Sequence, residues 1–345
     1  MPSFYASGGL LTAKAPKTVD EVVDLHDGYV VPPFGDAHNH YIAGPHDIDK
    51  ILHEYLKDGI VYAKNPASIH RDSLLIADKI NRPDSVDVVF ANAGLTASGG
   101  HPVRKKWPMI LADHPDFIKT HLLYSEEFEK RRDDPAYYGD RGLDPKLLPS
   151  IVARAHRDHL RVSCHIETAV DFRNALASGI DEINHLPGYY PDLEHAGWFR
   201  ITAEDAALAA RKKVVVVTTT YVAVAEMKDP GEVKRAREIQ AANLRLLHDA
   251  GVKIAIGPDV YGATSLPEAM SLRDLKVFDN LTLLKMWNET SPRTIFPTRK
   301  LGQLRDGYEA SFLVLGGNPI DDFEKVRDIR MRFKQGAFLR LPNDN

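Results

Sequence analysis

The chain has little of what several protein classes depend on. Its single cysteine, Cys164, has no partner for an internal disulfide, so the fold does not rely on an oxidising compartment. No apolar run approaches the roughly 18 to 20 residues that cross a bilayer, and the N-terminus lacks the positive start and apolar centre of a signal peptide. These absences predict no membrane partner and a cytoplasmic location, or a secreted or periplasmic one if a leader peptide is missing from this sequence.

An excess of charge of one sign is also absent. The formal net charge is -4, with acidic and basic residues interspersed and no basic stripe, so nucleic acid is not expected as a partner. Apolar residues make up 43% and charged residues 27% of the 345 residues, which is close to the average for globular proteins. The length suits one large domain with an appendage.

Short β-rich runs alternate with helix-like segments from about residue 30 to residue 290. The strand candidates are Tyr29–Val31, Ile60–Ala63, Val86–Ala91, Phe117–Leu123, Leu160–Cys164, Glu182–Asn184, Val214–Thr218 and Val252–Ile256. The helical segments between them include Ala169–Ser178, Ala203–Arg211 and Val233–Ala250. This alternation predicts an α/β fold of the (β/α)8 TIM barrel type. A doubly wound sheet, as in Rossmann-type oxidoreductases, would usually carry a G-x-G-x-x-G turn, which does not occur here.

The ends of the chain are predicted to form a second unit. After Leu301 the pattern changes to strands without crossover helices, Phe312–Leu315 and Met331–Phe333. We therefore predict a barrel over 30–295 and a small β module from 1–29 plus 296–345. Only 37 residues precede His38, which indicates either a reduced module or a trimmed N-terminus.

Histidine is plentiful, and a few of the 15 histidines stand at equivalent places. His38 and His40 lie two residues apart at the end of the first predicted strand, so both side chains can point to one side and reach one ion. His165, His185 and Asp259 each close a later strand candidate. The carboxyl ends of barrel strands form the functional face, so these five side chains are predicted to converge on a metal.

Lys119 lies in the fourth strand candidate, within PDFIKTHLL. Burial disfavours the charge of a lysine, and a lysine that faces a two-metal site can be carboxylated to an anion that bridges the cations. A surface lysine, with the strand phase misjudged, is the alternative interpretation. Lys64, at the end of the second strand, is the competing candidate for a special lysine.

The sequence resembles the amidohydrolase superfamily of metal-dependent hydrolases, which have a (β/α)8 barrel. Within it, the chain is most similar to the branch of Xaa-Pro and Xaa-Arg dipeptidases and imidazolonepropionase-like enzymes. The resemblance runs from Val30 to about Gly336 and rests on PPFGDAHNH, DFIK, AHRDHLRVSCHIETAVDFRNALASGIDEINH, GVKIAIGPD and SPRTIFPTRKLGQLRDGYEASFLVLGGNP. The chain departs from the family at Pro258, where threonine is usual, and at Leu186, where glycine is common. These departures weaken any transfer of substrate.

The resemblance implies a centre of two divalent ions, with zinc expected and manganese, iron or cobalt also compatible with the ligands. His38 and His40 would bind the first ion, and His165 and His185 would bind the second. Lys119, as a carbamate, would bridge both.

The resemblance also implies a reaction. A metal-activated hydroxide would attack an amide-type C–N bond of a small molecule or dipeptide, with Asp259 touching the first ion and acting as general base. His101 matches a histidine that polarises the substrate carbonyl, and Tyr221 matches a tyrosine that can assist it. A homo-oligomer is expected.

Three alternatives remain open on the same scaffold. The first is a lactone or phosphoester hydrolase, because the attack depends on the metals more than on the substrate. The second is a mononuclear deaminase, which would use His38, His40, His165 and Asp259 without a carbamate. The third, less favoured, is a barrel that binds a ligand without turnover.

Overall fold

The computed structural model describes residues 3–92, 94–95, 103–137 and 142–341. Within these ranges no helix combines the length and the apolar composition needed to cross a membrane.

The strands of the described residues fall into a parallel group and an antiparallel group. In chain order they are β1 (Tyr5–Ser7), β2 (Leu10–Thr12), β3 (Tyr29–Val31), β4 (Phe34–Asp36), β5 (Ile60–Asn65), β6 (Asp87–Phe90), β7 (Gly94–Leu95), β8 (Ile118–His121), β9 (Val162–His165), β10 (Glu182–Asn184), β11 (Val215–Val217), β12 (Lys253–Ala255), β13 (Phe312–Leu315), β14 (Ile329–Lys334) and β15 (Ala337–Phe338). The parallel group is ordered β4-β5-β6 and β7-β8-β9-β10-β11-β12, so neighbours in space are neighbours in the chain. β6 and β7 are two pieces of the third strand position, which gives eight positions in all.

The hydrogen-bond ladder of these eight positions is interrupted twice. On one side, the Ala37 N–H, just after β4, donates to the Ile256 carbonyl, just after β12, at 2.8 Å. On the other side, the Asp116 N–H, just before β8, donates to the Phe90 carbonyl of β6 at 2.9 Å. The Asp259 N–H also donates to the His38 carbonyl at 3.1 Å on the first side, and the Phe90 N–H to Oδ2 of Asp116 at 2.7 Å on the second, so a few hydrogen bonds link the edges of the two sheets. The predicted α/β fold with barrel order is confirmed, although the ladder is not closed.

Helices follow the barrel strands as the alternation predicts. They are α1 (Ile48–Lys57), α2 (His70–Leu74), α3 (Val103–Ala112), α4 (Phe128–Arg131), α5 (Leu148–Arg157), α6 (Ala169–Ser178), α7 (Ala203–Lys212), α8 (Tyr221–Glu226), α9 (Pro230–Asp249), α10 (Ser265–Asp274), α11 (Asn280–Lys285) and α12 (Ser291–Ile295). Short 3-10 segments occupy Ser125–Glu127, Pro135–Tyr137, Pro145–Leu147, Leu193–Phe199 and Phe323–Arg327, and Met286–Thr290 is π-helical. Predicted and observed bounds of α6 agree because Thr168 and Asp171 form a capping box at its start and Gly179 adopts a left-handed conformation at its end.

One strand prediction is wrong. Tyr29–Val31 was expected to open the barrel, but β3 pairs antiparallel with β13 in a sheet ordered β15-β14-β13-β3. Two prolines follow this run and stop the strand, and the barrel begins instead at β4. The sequence of β4, Phe-Gly-Asp, carries little β-propensity, so its position depends on tertiary contacts. One of these is the stack of Phe34 on Trp287, with ring centroids 3.7 Å apart.

The C-terminal strands occur where the sequence predicts them. β13 has the predicted bounds and β14 contains Met331–Phe333. Phe312, Val314 and Phe333 form a small apolar cluster beside the main core. The division into 30–295 and 1–29 plus 296–345 stays a prediction.

Candidate metal centre

Five imidazole rings follow one another around the carboxyl end of the parallel strands. We call this set the histidine arc. The distances between successive ring centroids are 5.2 Å for His121 and His165, 4.3 Å for His165 and His185, 4.7 Å for His185 and His38, and 5.3 Å for His38 and His40. Four of the five rings were predicted to converge, and the structure brings these four together.

Asp259 joins the arc on the side of the first strand. Its Oδ1 lies 2.9 Å from Nε2 of His40 and 3.4 Å from Nε2 of His38, and its Oδ2 lies 3.6 Å from Nδ1 of His185. Burial alone would raise the pKa of Asp259, but the contacts with His38 and His40 outweigh burial and hold the pKa well below its usual range. Asp259 is therefore an anion at neutral pH.

His38, His185 and Asp259 form a donor set that fits a divalent cation. One ligand atom from each lies within 4.8 Å of the other two. Nδ1 of His38 and Nε2 of His185 are buried, and neither has a hydrogen-bond partner in the described part of the chain. Burial lowers the pKa of His38 to about 3 and that of His185 well below its usual range, so both rings are neutral near pH 7. Neutral imidazole with a free nitrogen is the form that ligates metals.

The backbone places two of these donors in an uncommon conformation. The φ angles of His185 and Asp259 are 75° and 50°, both in the left-handed region. Nδ1 of His185 also lies 2.9 Å from Oγ1 of Thr219, a contact that orients the ring.

A buried carboxyl group stabilises the first barrel strand and the turn that follows it. Asp36, in β4, accepts hydrogen bonds from the Asn39 side chain at 2.8 Å, the Tyr55 hydroxyl at 3.0 Å and the His38 N–H at 3.4 Å. Burial raises the pKa of Asp36 to about 7. These bonds hold the turn that carries His38, and they were not predicted from the sequence.

Lys119 is buried below the arc, with 2% of its surface exposed. Its Nζ donates to Oδ1 of Asn184 at 2.5 Å, and burial lowers the pKa of Lys119 to about 7. The surface-lysine interpretation is therefore wrong. The competing candidate, Lys64, is engaged elsewhere, because its Nζ forms a buried ion pair with Glu182 at 2.7 Å.

His165 has a carboxylate neighbour that the sequence analysis missed. Its Nε2 lies 2.8 Å from Oε1 of Glu167, which also accepts a hydrogen bond from the Tyr189 hydroxyl at 3.1 Å. Tyr189 in turn stacks on His185 at 4.4 Å between ring centroids. If Nε2 of His165 binds a metal ion, that atom loses its contact with Glu167.

His121 was also missed, although a signal for it was present. Lys119 and His121 stand two residues apart in β8, the same spacing as His38 and His40 in the first motif. Residues with this spacing lie on one face of a strand. His121 pairs in register with His165 of β9, which places the two rings side by side.

The predicted site also included His101 and Tyr221. His101 lies outside the described residues. Tyr221 begins α8, where its backbone N–H donates to the buried Glu268 carboxyl at 2.6 Å. Among the described hydrogen bonds, none joins the Tyr221 hydroxyl to the arc or to Asp259, and the assisting role of both residues stays a prediction.

The chain is similar to known proteins both in sequence and in fold. No family model matches the chain. In sequence, the chain is 28% identical over 262 residues to ochratoxinase from Aspergillus niger, a match that covers 71% of this chain and 51% of ochratoxinase. The chain thus spans about half the length of this curated relative. The crystal structure of A. niger ochratoxinase superposes with a TM-score of 0.69 at 18% identity, covering 91% of this chain and 84% of that chain.

Two other solved structures share the fold. An amidohydrolase has a TM-score of 0.73 at 18% identity and covers 99% of this chain and 94% of its own. The fold that the resemblance to the amidohydrolase superfamily implies is confirmed. A Xaa-Pro dipeptidase with bound methionine in its active site has a TM-score of 0.71 at 16% identity, with 97% of this chain and 94% of that chain covered. At these identities the likeness to amidohydrolases establishes the fold.

Proposed function

We propose that this chain is a metal-dependent hydrolase that cleaves an amide-type C–N bond of a small molecule or dipeptide. The observation that carries the proposal is the convergence of His38, His185 and Asp259, which lie at the ends of three different strands, within 4.8 Å. Nδ1 of His38 and Nε2 of His185, which are buried and have no hydrogen-bond partner in the described ranges, support a cation site. A Xaa-Pro dipeptidase, by its name a hydrolase of dipeptides, has the same fold.

In detail, the proposal assigns two ions, with zinc expected. His38, His40 and Asp259 would hold the first ion. His165 and His185 would hold the second. Divalent ions bound at such ligands lower the pKa of a water molecule and polarise a substrate carbonyl.

Lys119 would complete this centre as a carbamate. A lysine reacts with carbon dioxide through its neutral amine, losing one proton as the N–C bond forms. The pKa of Lys119, lowered by burial to about 7, leaves much of the amine neutral at physiological pH. Its position two residues before the end of β8 supports a role below the arc.

Asp259 is the residue to which we assign proton transfer. Its carboxylate would accept a proton from the attacking water as the oxygen bonds to the carbonyl carbon, and would return it to the leaving nitrogen as the C–N bond breaks. The contact with Nε2 of His40 at 2.9 Å orients the carboxylate. His101 would polarise the carbonyl and Tyr221 would assist it. The homo-oligomeric state and the cytoplasmic location stay predictions.

The test combines metal analysis with hydrolysis. The purified chain, loaded with zinc and freed of excess ion, is assayed by mass spectrometry for metal and against Xaa-Pro dipeptides, N-acyl amino acids, a lactone and a phosphotriester. We expect bound zinc, turnover of an amide, and a loss of about 10²- to 10⁴-fold in Asp259→Asn. Asp192→Asn, which alters a surface carboxylate that contacts His195, is the matched control. Full activity of Asp259→Asn, or no retained metal, would contradict the proposal.

A further inference from the structure

His121 is an imidazole in the arc for which the amidohydrolase resemblance supplies no role. Its Nδ1 is buried and has no hydrogen-bond partner, and no side-chain hydrogen bond of this ring occurs in the described ranges of the chain. A buried ring nitrogen of a histidine with a purely structural role is normally hydrogen-bonded, because leaving it unpaired costs free energy. His121 therefore has a buried ring nitrogen that is free to bind a ligand.

The strand register places His121 level with His165. The pairs His121 with His165, and His165 with Asn184, are in register across β8, β9 and β10. His185 follows Asn184 directly. Three imidazoles thus stand at the ends of three adjacent strands, with ring centroids separated by 5.2 Å and then 4.3 Å. Among the described residues, the His, Cys, Asp or Glu group whose ligand atoms already lie within 4.8 Å of one another is His38, His185 and Asp259. The rings of His121 and His165 must therefore turn about their side-chain bonds for one nitrogen of each to meet that of His185 at a common point.

We propose that His121 is a metal ligand that completes a three-nitrogen site with His165 and His185. This inference rests on the proposed function, since it concerns the second of the two ions assigned there. Three protein ligands and one open position are the usual arrangement of a zinc ion that takes part in catalysis. With His121 the second ion has such a set from imidazoles alone, so its retention does not depend on a carbamate at Lys119.

The position of His121 relative to Lys119 fits this role. Both side chains lie on the same face of β8, with Lys119 deeper in the barrel and His121 at the strand end. Lys119 already donates to Asn184, whereas the ring of His121 faces His165. Lys119 would therefore approach the second ion from inside the barrel, and His121 would approach it from the carboxyl end of the strands.

The experiment measures zinc binding directly. Zinc-free wild-type protein, His121→Ala and His121→Gln are titrated with zinc in competition with a chromophoric chelator, and the Co²⁺-loaded proteins are compared by their visible absorption. His156→Ala is the matched control, because that exposed imidazole of α5 contacts Asp181 outside the arc. Circular dichroism of the zinc-free proteins establishes folding, and the glutamine variant retains most of the side-chain volume if the alanine variant is unstable.

We expect wild type and His156→Ala to bind two zinc ions, and both His121 variants to bind the weaker ion at least tenfold less tightly, with an altered Co²⁺ spectrum. Unchanged affinity in folded His121 variants would overturn the role of His121 and leave the proposed function standing. If wild type binds one ion, the same comparison applies to that ion. A wild type that binds no zinc would refute the proposed function as well.

Discussion

Gly257 is the position at which a single methyl group tests the architecture of the site. A Cβ atom on Gly257 would lie 2.4 Å from the backbone nitrogen of His38, 2.9 Å from its Cβ and 3.0 Å from its Cα. Two of these atoms are main-chain atoms of His38 and the third is its Cβ, so no rotamer change of His38 can relieve the overlap. Gly257→Ala must therefore displace either β4 or the segment after β12.

The size of this displacement can be worked out from the contact. Moving the 2.4 Å approach out to ordinary contact needs a shift of about 1 Å. Overpacking of this kind costs about 1 to 3 kcal/mol of unfolding free energy. With an unfolding entropy of about 0.7 kcal/mol per kelvin for a chain of this length, the melting temperature should fall by about 1 to 4 °C. A misplacement of about 1 Å at a catalytic group can lower the rate about 100-fold.

Calorimetry, zinc titration and amide hydrolysis together measure these effects. We expect Gly257→Ala to lose far more activity and zinc affinity than its small change in melting temperature would suggest, because the strain falls on His38. Gly197→Ala is the control, since a Cβ there meets nothing within 4 Å and its φ is not left-handed. If Gly257→Ala matched Gly197→Ala in zinc affinity and rate, the close approach of Gly257 to His38 would not constrain the site, and the reasoning would be refuted.

Three further predictions concern charge and metal. Burial raises the pKa of Glu268 to about 7, so its contribution to stability is complete below pH 4.5 and is lost as pH rises through 7. In urea unfolding, the unfolding free energy of Glu268→Gln should therefore rise by about 2 to 3 kcal/mol relative to that of wild type between those pH values. A difference that stays constant with pH would contradict this. Lys64→Met leaves Glu182 buried without its cation and should cost about 3 to 5 kcal/mol of unfolding free energy. Most of this loss should be recovered in the double variant Lys64→Met/Glu182→Leu. Equal stabilities of the single and double variants would argue against the ion pair. Zinc at about 100 times its dissociation constant should stabilise the chelator-treated protein by about 2.7 kcal/mol, and a melting temperature independent of zinc would exclude a native-state site.

Most barrel strands were predictable because strands buried on both faces appear as continuous apolar runs. Val215–Val217 is such a run and lies inside its predicted segment. β4 was not predictable in this way. Its three residues include a glycine and an aspartate, and its place in the barrel depends on the Phe34–Trp287 stack and on hydrogen bonds to Asp36, which join residues distant in the chain.

The site was predictable where one residue type recurs at strand ends. The structure brings His38, His185 and Asp259 together as the strand-end rule implies. Glu167 and His121 were not predicted because each stands two residues from a residue already identified, and a single sequence does not distinguish a second functional side chain from an ordinary near neighbour in the chain. The buried carboxyl group of Glu268 escaped because its partners come from another strand end.

The left-handed φ angles of His185 and Asp259 have an energetic consequence. Thr219, whose hydroxyl contacts His185, shares this conformation, with φ of 51°. Each such non-glycine residue costs about 1 to 3 kcal/mol of backbone strain. The fold therefore gives up several kcal/mol of its own stability to hold the side chains that we propose as metal ligands. Glycine at position 185 or 259 would relax the backbone strain, but it would also remove the buried side chain that the strained backbone presents.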